Sequence, residues 1–127
     1  MGADVGCYVY CVALCDQGVA LGPIGIEQAH LYTVVHQGLA AVVHRCANEP
    51  FQGNDPEAIA TWALAHHAVV EAAWRRWGTV LPLTFNTILR ADEGREPEES
   101  VRAWLSAEYP SLQGKLEALA GKAEYGV

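Results

Sequence analysis

His30-Leu-Tyr-Thr-Val-Val-His36-Gln37-Gly38-Leu39-Ala-Ala-Val-Val-His-Arg45 carries the signature of a β-hairpin. Two runs rich in β-branched residues flank Gln37-Gly38. Glycine takes positive φ without steric penalty, so this dipeptide can close a tight hairpin turn. Strands over 30–36 and 39–45 are then antiparallel neighbours, because so short a connection cannot cross over.

Working outward, Gly6-Cys-Tyr-Val-Tyr-Cys-Val-Ala-Leu-Cys15 is apolar and reads as a buried strand. Gly18, Gly22, Pro23 and Gly25 mark residues 16–28 as a loop. Beyond a polar loop over 46–54, Asp55-Pro56-Glu57 is a helix start: an N-cap, a first-turn proline and an acid that suits the helix dipole. Ile59, Trp62, Ala63, Val69, Val70, Ala73, Trp74 and Trp77 follow at helical spacing and predict a broad stripe packed on the sheet. Gly78 ends that helix. Thr79–Leu83 reads as a short strand, and Pro82 places it at an edge or ends it there. Phe85–Leu89 is apolar but irregular, and 92–97 is a charged turn. A second helix begins near Glu98, with Val101, Trp104, Leu105, Leu112, Leu116 and Leu119 on its buried face. Pro110 kinks or splits it after Tyr109, Gly121 ends it, and Lys122–Val127 is a final strand. This order predicts an α+β fold: a two-layer, ferredoxin-like sandwich with a mainly antiparallel sheet and two helices on one face.

The chain has 127 residues, 51% of them hydrophobic and 18% charged, enough for one domain with its own core. Its net charge of −7 argues against nucleic acid and against anionic membrane surfaces as partners. No apolar run is long enough to span a membrane. Met1-Gly2-Ala3-Asp4 has no basic region ahead of its apolar run, which predicts no signal peptide. The four cysteines read as reduced and cytoplasmic.

Candidate chemistry meets a plain structural alternative at each point. Cys7, Cys11 and Cys15 span about 26 Å on a strand, too far to share one zinc, so they read as small buried hydrophobes on one sheet face. His66 falls near the apolar stripe of the first helix and reads as a buried, hydrogen-bonded imidazole. His67 and Glu71, four residues apart, can meet on one helix face. His30, His36 and His44 lie along the hairpin, where the turn decides whether they share a face. No nucleophile elbow or phosphate loop occurs, and Glu96, Glu98 and Glu99 read as a solvated helix start. No catalytic residue, cofactor-binding residue or metal ligand is assigned.

Several ordered segments together resemble the gas vesicle protein family GvpL/GvpF. These are Tyr8-Val9-Tyr10, Gly38 to Val43, Ala65 to Ala72, Thr79 to Phe85 and Gly121 to Val127. The resemblance covers nearly the whole chain, at 1–127, and corresponds to the family's N-terminal domain, described as modified ferredoxin-like. It implies a non-enzymatic accessory protein, within the cytoplasm at the gas vesicle, that assists assembly of the shell. It also implies partners among the gas vesicle shell protein and other accessory proteins, without a cofactor. Asn86 stands where the family tends to have Gly, and Tyr125 where Trp is common. An assembly factor would act through an exposed apolar patch or an unpaired sheet edge. The candidate partner-binding residues are Leu81, Pro82, Leu83, Phe85, Glu124 and Tyr125. The alternative is a ferredoxin-like regulatory domain that binds a small molecule or metal, since such folds host many functions.

Overall fold

A computed structural model of the chain describes residues 5–47, 49–91 and 94–123, with side chains as far as residue 120. The elements are β1 (Val5–Leu14), β2 (Ala20–Gly22), a 3-10 turn at Ile26–Gln28, β3 (Leu31–His36), β4 (Leu39–Ala47), α1 (Pro56–Trp77), β5 (Val80–Pro82), β6 (Ile88–Arg90), α2 (Pro97–Ala107) and α3 (Tyr109–Ala123). The strands run β2-β3-β4-β1-β5, and β6 also pairs with β1. All these pairings are antiparallel.

The β3–β4 hairpin turns at Gln37 (φ 47°) and Gly38 (φ 87°), and His36 faces Leu39. Positive φ at both central residues is the turn whose twist matches that of paired strands. Asp55 caps α1 by accepting the Glu57 N–H at 3.0 Å, and Pro56 occupies the first turn. Gly78 (φ 82°) closes α1, donating to the Trp74 carbonyl at 2.7 Å. Pro110 likewise sits in the first turn of α3, where its missing N–H costs nothing.

β1 holds the molecule together. Residues 7–13 are fully buried, so both faces of this strand are covered. Val9 pairs with Val43 but Cys11 with Val42, leaving Tyr10 as an extra residue in a β-bulge. The bulge shifts the alternation of side chains. Cys7, Val9 and Val12 join one core with Val101, Leu105, Leu112 and Leu116 from α2 and α3. Tyr8, Tyr10, Cys11 and Ala13 join a second core with Val69 and Ala73 from α1. On the far side of β1 from β4, residues 80–90 form one interrupted edge: Leu83 N–H bonds Tyr10 O, and Val9 N–H bonds Thr87 O. The interruption at 84–86 lies opposite the bulge. Gly6 allows β6 to approach; a Cβ there would lie 2.9 Å from both Ile88 Cγ2 and the Leu89 carbonyl oxygen.

The antiparallel α+β architecture is as the sequence predicts, with four corrections. Helices cover both faces of the sheet, giving three layers where the sequence suggested two. Cys7 and Cys11 lie on opposite faces, because the bulge separates them. β2 and β6 arise within segments that read as loop and irregular chain, each too short to show periodicity. α3 runs through Gly121 to Ala123, so Lys122 and Ala123 are helical; the rest of the expected final strand lies outside the described residues.

Candidate functional site

Two places gather polar chemistry, and a third gathers exposed apolar surface. The first lies between the sheet and α1. The Tyr8 hydroxyl lies 2.8 Å from His66 Nδ1, and His66 Nε2 lies 2.9 Å from the Leu83 carbonyl oxygen. A carbonyl only accepts, so Nε2 carries the proton and Tyr8 donates to Nδ1. The Asn86 N–H donates to the Tyr8 oxygen at 3.0 Å. Tyr10 lies 2.7 Å from His44 Nδ1 and accepts the Ile26 N–H at 2.9 Å. Tyr8 and His44 stack nearly parallel, with centroids 5.3 Å apart and planes within 4°. Burial holds His44 at about 4 and lowers His66, so both rings are neutral near pH 7. The same burial pushes Tyr8 up to about 12 and raises Tyr10. Groups held this firmly neutral form a hydrogen-bonded core rather than an acid–base pair at neutral pH.

Asn86 (φ 70°) completes this region. Its Oδ1 accepts the Phe51 N–H at 2.8 Å, and its Nδ2 donates to the Phe51 carbonyl at 2.9 Å. The side chain thereby stands in for a strand partner and fixes the loop before α1. Phe85 packs in this second core beside Phe51.

The second polar place joins β3 and β4 to the start of α2. Arg45 donates to Glu98 through Nε and Nη2, each at 2.8 Å, and also to Glu96. Tyr32 donates its hydroxyl to Glu98. The Arg45 hydrogen bonds hold the Glu98 carboxyl at about 2. Glu98 is therefore tied to the sheet, where the sequence suggested a solvated helix start. Cys7 and Cys11 are pushed up to about 12 by burial, which leaves neither as a thiolate nucleophile.

The histidines are dispersed by the hairpin register. His36 packs edge-on to Tyr109 from α3, whereas His44 faces α1. His67 Nε2 lies 3.8 Å from Glu71 on the exposed side of α1. Among the described residues, no three His, Cys, Asp or Glu side chains converge as a metal site. A cavity of about 380 Å³, lined by Ile26, Glu27, His44, Cys46 and Phe51 among others, opens beside β4.

The exposed apolar surface lies at the β5 edge. Pro82 is exposed and lines a depression of about 270 Å³ with His67, Val70, Glu71, Trp74 and Val80. Trp74 is 51% exposed; it belongs to this edge, not to the core stripe in which the sequence placed it, and Ile59 is similarly 41% exposed. Leu83 N–H points to β1, so by alternation the backbone of Val80 and Pro82 faces outward. A proline is tolerated there because no ladder donor is required.

The candidate partner-binding residues are therefore distributed over several surroundings. Leu81 and Leu83 pack half-buried on the α2–α3 side, and Phe85 packs on the α1 side. Pro82 is outermost, and Glu124 and Tyr125 lie outside the described residues. Trp74 has the spacing of a core residue yet lies at the surface, because helical spacing alone does not reveal how far a helix overhangs its sheet.

The family model described as gas vesicle synthesis protein GvpL/GvpF matches residues 6–127. Gas vesicle protein L1 of Halobacterium salinarum is 32% identical over 124 residues, covering 96% of this chain and 42% of that relative. Gas vesicle protein L of Haloferax mediterranei is 33% identical over 103 residues, covering 81% and 30% respectively. The crystal structure of GvpF from Anabaena sp. PCC7120 superposes with a TM-score of 0.67 at 21% identity, covering 91% of this chain and 44% of that one. GvpF from Microcystis aeruginosa gives 0.63 at 19% identity with the same coverage. The chain thus spans less than half the length of each of these relatives. Among the described residues, no helix is long and apolar enough to cross a membrane.

Proposed function

The chain belongs to the gas vesicle GvpL/GvpF family, and on that premise we propose that it assists assembly of the gas vesicle shell through protein–protein contacts. The observation that carries this reading is the family match over nearly the whole chain. Its partners are then the shell protein and other gas vesicle accessory proteins, met at the gas vesicle within the cytoplasm. Its work is non-enzymatic. The locked, neutral histidines and tyrosines favour this over acid–base chemistry.

The surface best suited to such contacts is the β5 edge. Pro82, Trp74 and Val70 offer apolar area beside outward-facing backbone, and Leu81, Leu83 and Phe85 support it from beneath. Glu124 and Tyr125 complete the candidate set. An exposed tryptophan beside a shallow depression is the kind of residue that anchors a protein interface.

The test is binding of the purified 127-residue chain to the gas vesicle shell protein, with an unrelated acidic α+β domain as control. Specific binding that Trp74→Ala or Pro82→Asp weakens at least about tenfold supports both the function and the surface. Binding that both variants leave unchanged removes the β5 edge. No binding by the folded chain removes direct contact with the shell protein from its role.

A further inference from the structure

The β3–β4 ladder stops before β4 does. Its last pair is Tyr32 with Val43, yet β4 runs on to Ala47, paired only with β1 among the described strands. The Val9 N–H bonds Thr87 O, so Val9 faces away from β4. Alternation from Val9 opposite Val43 then turns the backbone of His44 and Cys46 toward β1. The backbone N–H and carbonyl of Arg45 and Ala47 point the other way, where β3 has already left. Neither residue makes a backbone hydrogen bond to the loop over 25–30, and both are exposed. The cavity of about 380 Å³ beside β4 fills this gap, with Ala29 on its β3 side and Arg45 to Ala47 on the other.

A buried donor opens into the same cavity. His44 lines it although the residue is only 3% exposed. The Tyr10 oxygen accepts the Ile26 N–H, so its own proton goes to His44 Nδ1 and the imidazole proton sits on Nε2. Among the described residues that Nε2–H meets no acceptor, and Ser100 Oγ is the only side-chain polar atom both sealed from solvent and unpartnered. Nε2 is therefore open to the cavity, and a buried donor requires an acceptor. Ile26 and Phe51 supply apolar wall, and Glu27 and Glu49 stand at the exposed rim. Neither carboxylate has an ion-pair partner among the described residues. Arg45 adds no free cation, since Glu96 and Glu98 hold its guanidinium on the α2 side of the sheet. Glu27 (φ 56°) and Gln28 (φ 63°) keep the rim in successive left-handed conformations, which cost energy for residues with a Cβ.

We propose that this cavity captures a short extended peptide segment carrying a basic side chain. The segment continues the sheet where β3 ends and pairs its backbone with Arg45 and Ala47. These two positions lie about 7 Å apart along the strand, the span of a three-residue segment. His44 Nε2–H donates to an oxygen of the segment on the α1 face, and Glu27 and Glu49 take its cation at the rim. The occupant is a peptide because the site offers strand-edge donors and acceptors, and a basic one because the free charges beside them are both acidic. The cavity lies on the opposite side of β1 from β5, so the inference stands apart from the shell-assembly reading.

Amide NMR of the 127-residue chain, titrated to about 10 mM with acetyl-Ser-Lys-Ser-amide, tests this. The expected result is saturable shifts at the Arg45 and Ala47 amides and at the His44 Nε2–H. No shift, or shifts confined to other residues, overturns the proposal. Acetyl-Ser-Glu-Ser-amide should bind at least about tenfold more weakly; equal binding overturns it. Ala47→Pro deletes an edge donor that β1 does not use, so the fold should be kept, which the remaining resonances verify. It should weaken peptide binding at least about tenfold, and so should the double variant Glu27→Gln with Glu49→Gln. Binding left unchanged by either variant overturns the proposal. A chain that dimerises without peptide in sedimentation equilibrium, and ceases to with Ala47→Pro, gives the edge to a second copy and also overturns it.

Discussion

Tyr8 and His66, far apart in the chain, share a buried hydrogen bond of 2.8 Å whose direction is fixed at both ends. The Leu83 carbonyl accepts a hydrogen bond from His66 Nε2–H, and the Asn86 N–H donates to the Tyr8 oxygen. This one contact links β1, α1 and the turn between β5 and β6. Tyr8→Phe keeps the ring but leaves His66 Nδ1 and the Asn86 N–H without their partner. It should cost about 1–3 kcal/mol, read as a lower urea midpoint with an unchanged denaturant slope.

Acid should loosen the fold through its buried histidines. His44 is ordinarily near 6.5 and is held at about 4 by burial. Between those pH values the unfolded chain binds the proton and the folded chain refuses it. The contribution of neutral His44 is complete above pH 6.5 and declines as pH falls toward 4, by at most about 1.4 kcal/mol per pH unit. His66 is lowered in the same sense, and Glu98 adds its own loss between its ordinary 4.5 and about 2. Urea midpoints at pH 7, 6, 5 and 4 should therefore fall steadily. His44→Gln should flatten that decline; an equally steep decline in the variant would exclude His44 as its source.

Two substitutions at Asn86 should rank in a definite order. Alanine loses both bonds to Phe51 and keeps a backbone at φ 70°, which is strained for a residue with a Cβ. Glycine loses the same bonds but adopts that backbone freely. Asn86→Ala should be the more destabilising, by about 1 kcal/mol relative to Asn86→Gly. Thermal denaturation of both variants gives the comparison.

Gly25 is constrained by space rather than by torsion. A Cβ there would lie 2.8 Å from Tyr10 Oη and 2.9 Å from Leu31 Cδ2. Gly25→Ala must displace the hydroxyl that bonds His44 and the Ile26 N–H. A loss of about 1–3 kcal/mol is expected. The near-ultraviolet tyrosine circular dichroism should change with it, as Tyr10 moves.

The parts of this fold that the sequence reveals are those encoded by neighbours in the chain. Gln37-Gly38 specifies its hairpin, and Asp55-Pro56 with Gly78 brackets α1 to the residue. The missing N–H of Pro82 correctly places it on an edge. What escapes the sequence is set by distant partners. The bulge at Tyr10 shifts the register of β1 against β4 inside an unbroken apolar run, and no local pattern records it. Glu98 looks like any acid at a helix start until Arg45 is brought to it. Trp74 has the spacing of a core residue and is surface only because the sheet narrows beneath it to the short β5.

The central position of β1 also governs the order in which the fold can be completed. Its partners on one side, Leu39–Ala47, follow closely in the chain, but on the other side Cys7 must wait for Leu89. Until then the growing chain holds a wholly apolar strand with one unpaired edge, which is the template that strand-to-strand aggregation uses. A nascent chain interrupted before Val80 should therefore be sticky even with its hairpin formed. Synthesis of this protein carries a vulnerable interval that ends only when residues 80–90 arrive to close the edge.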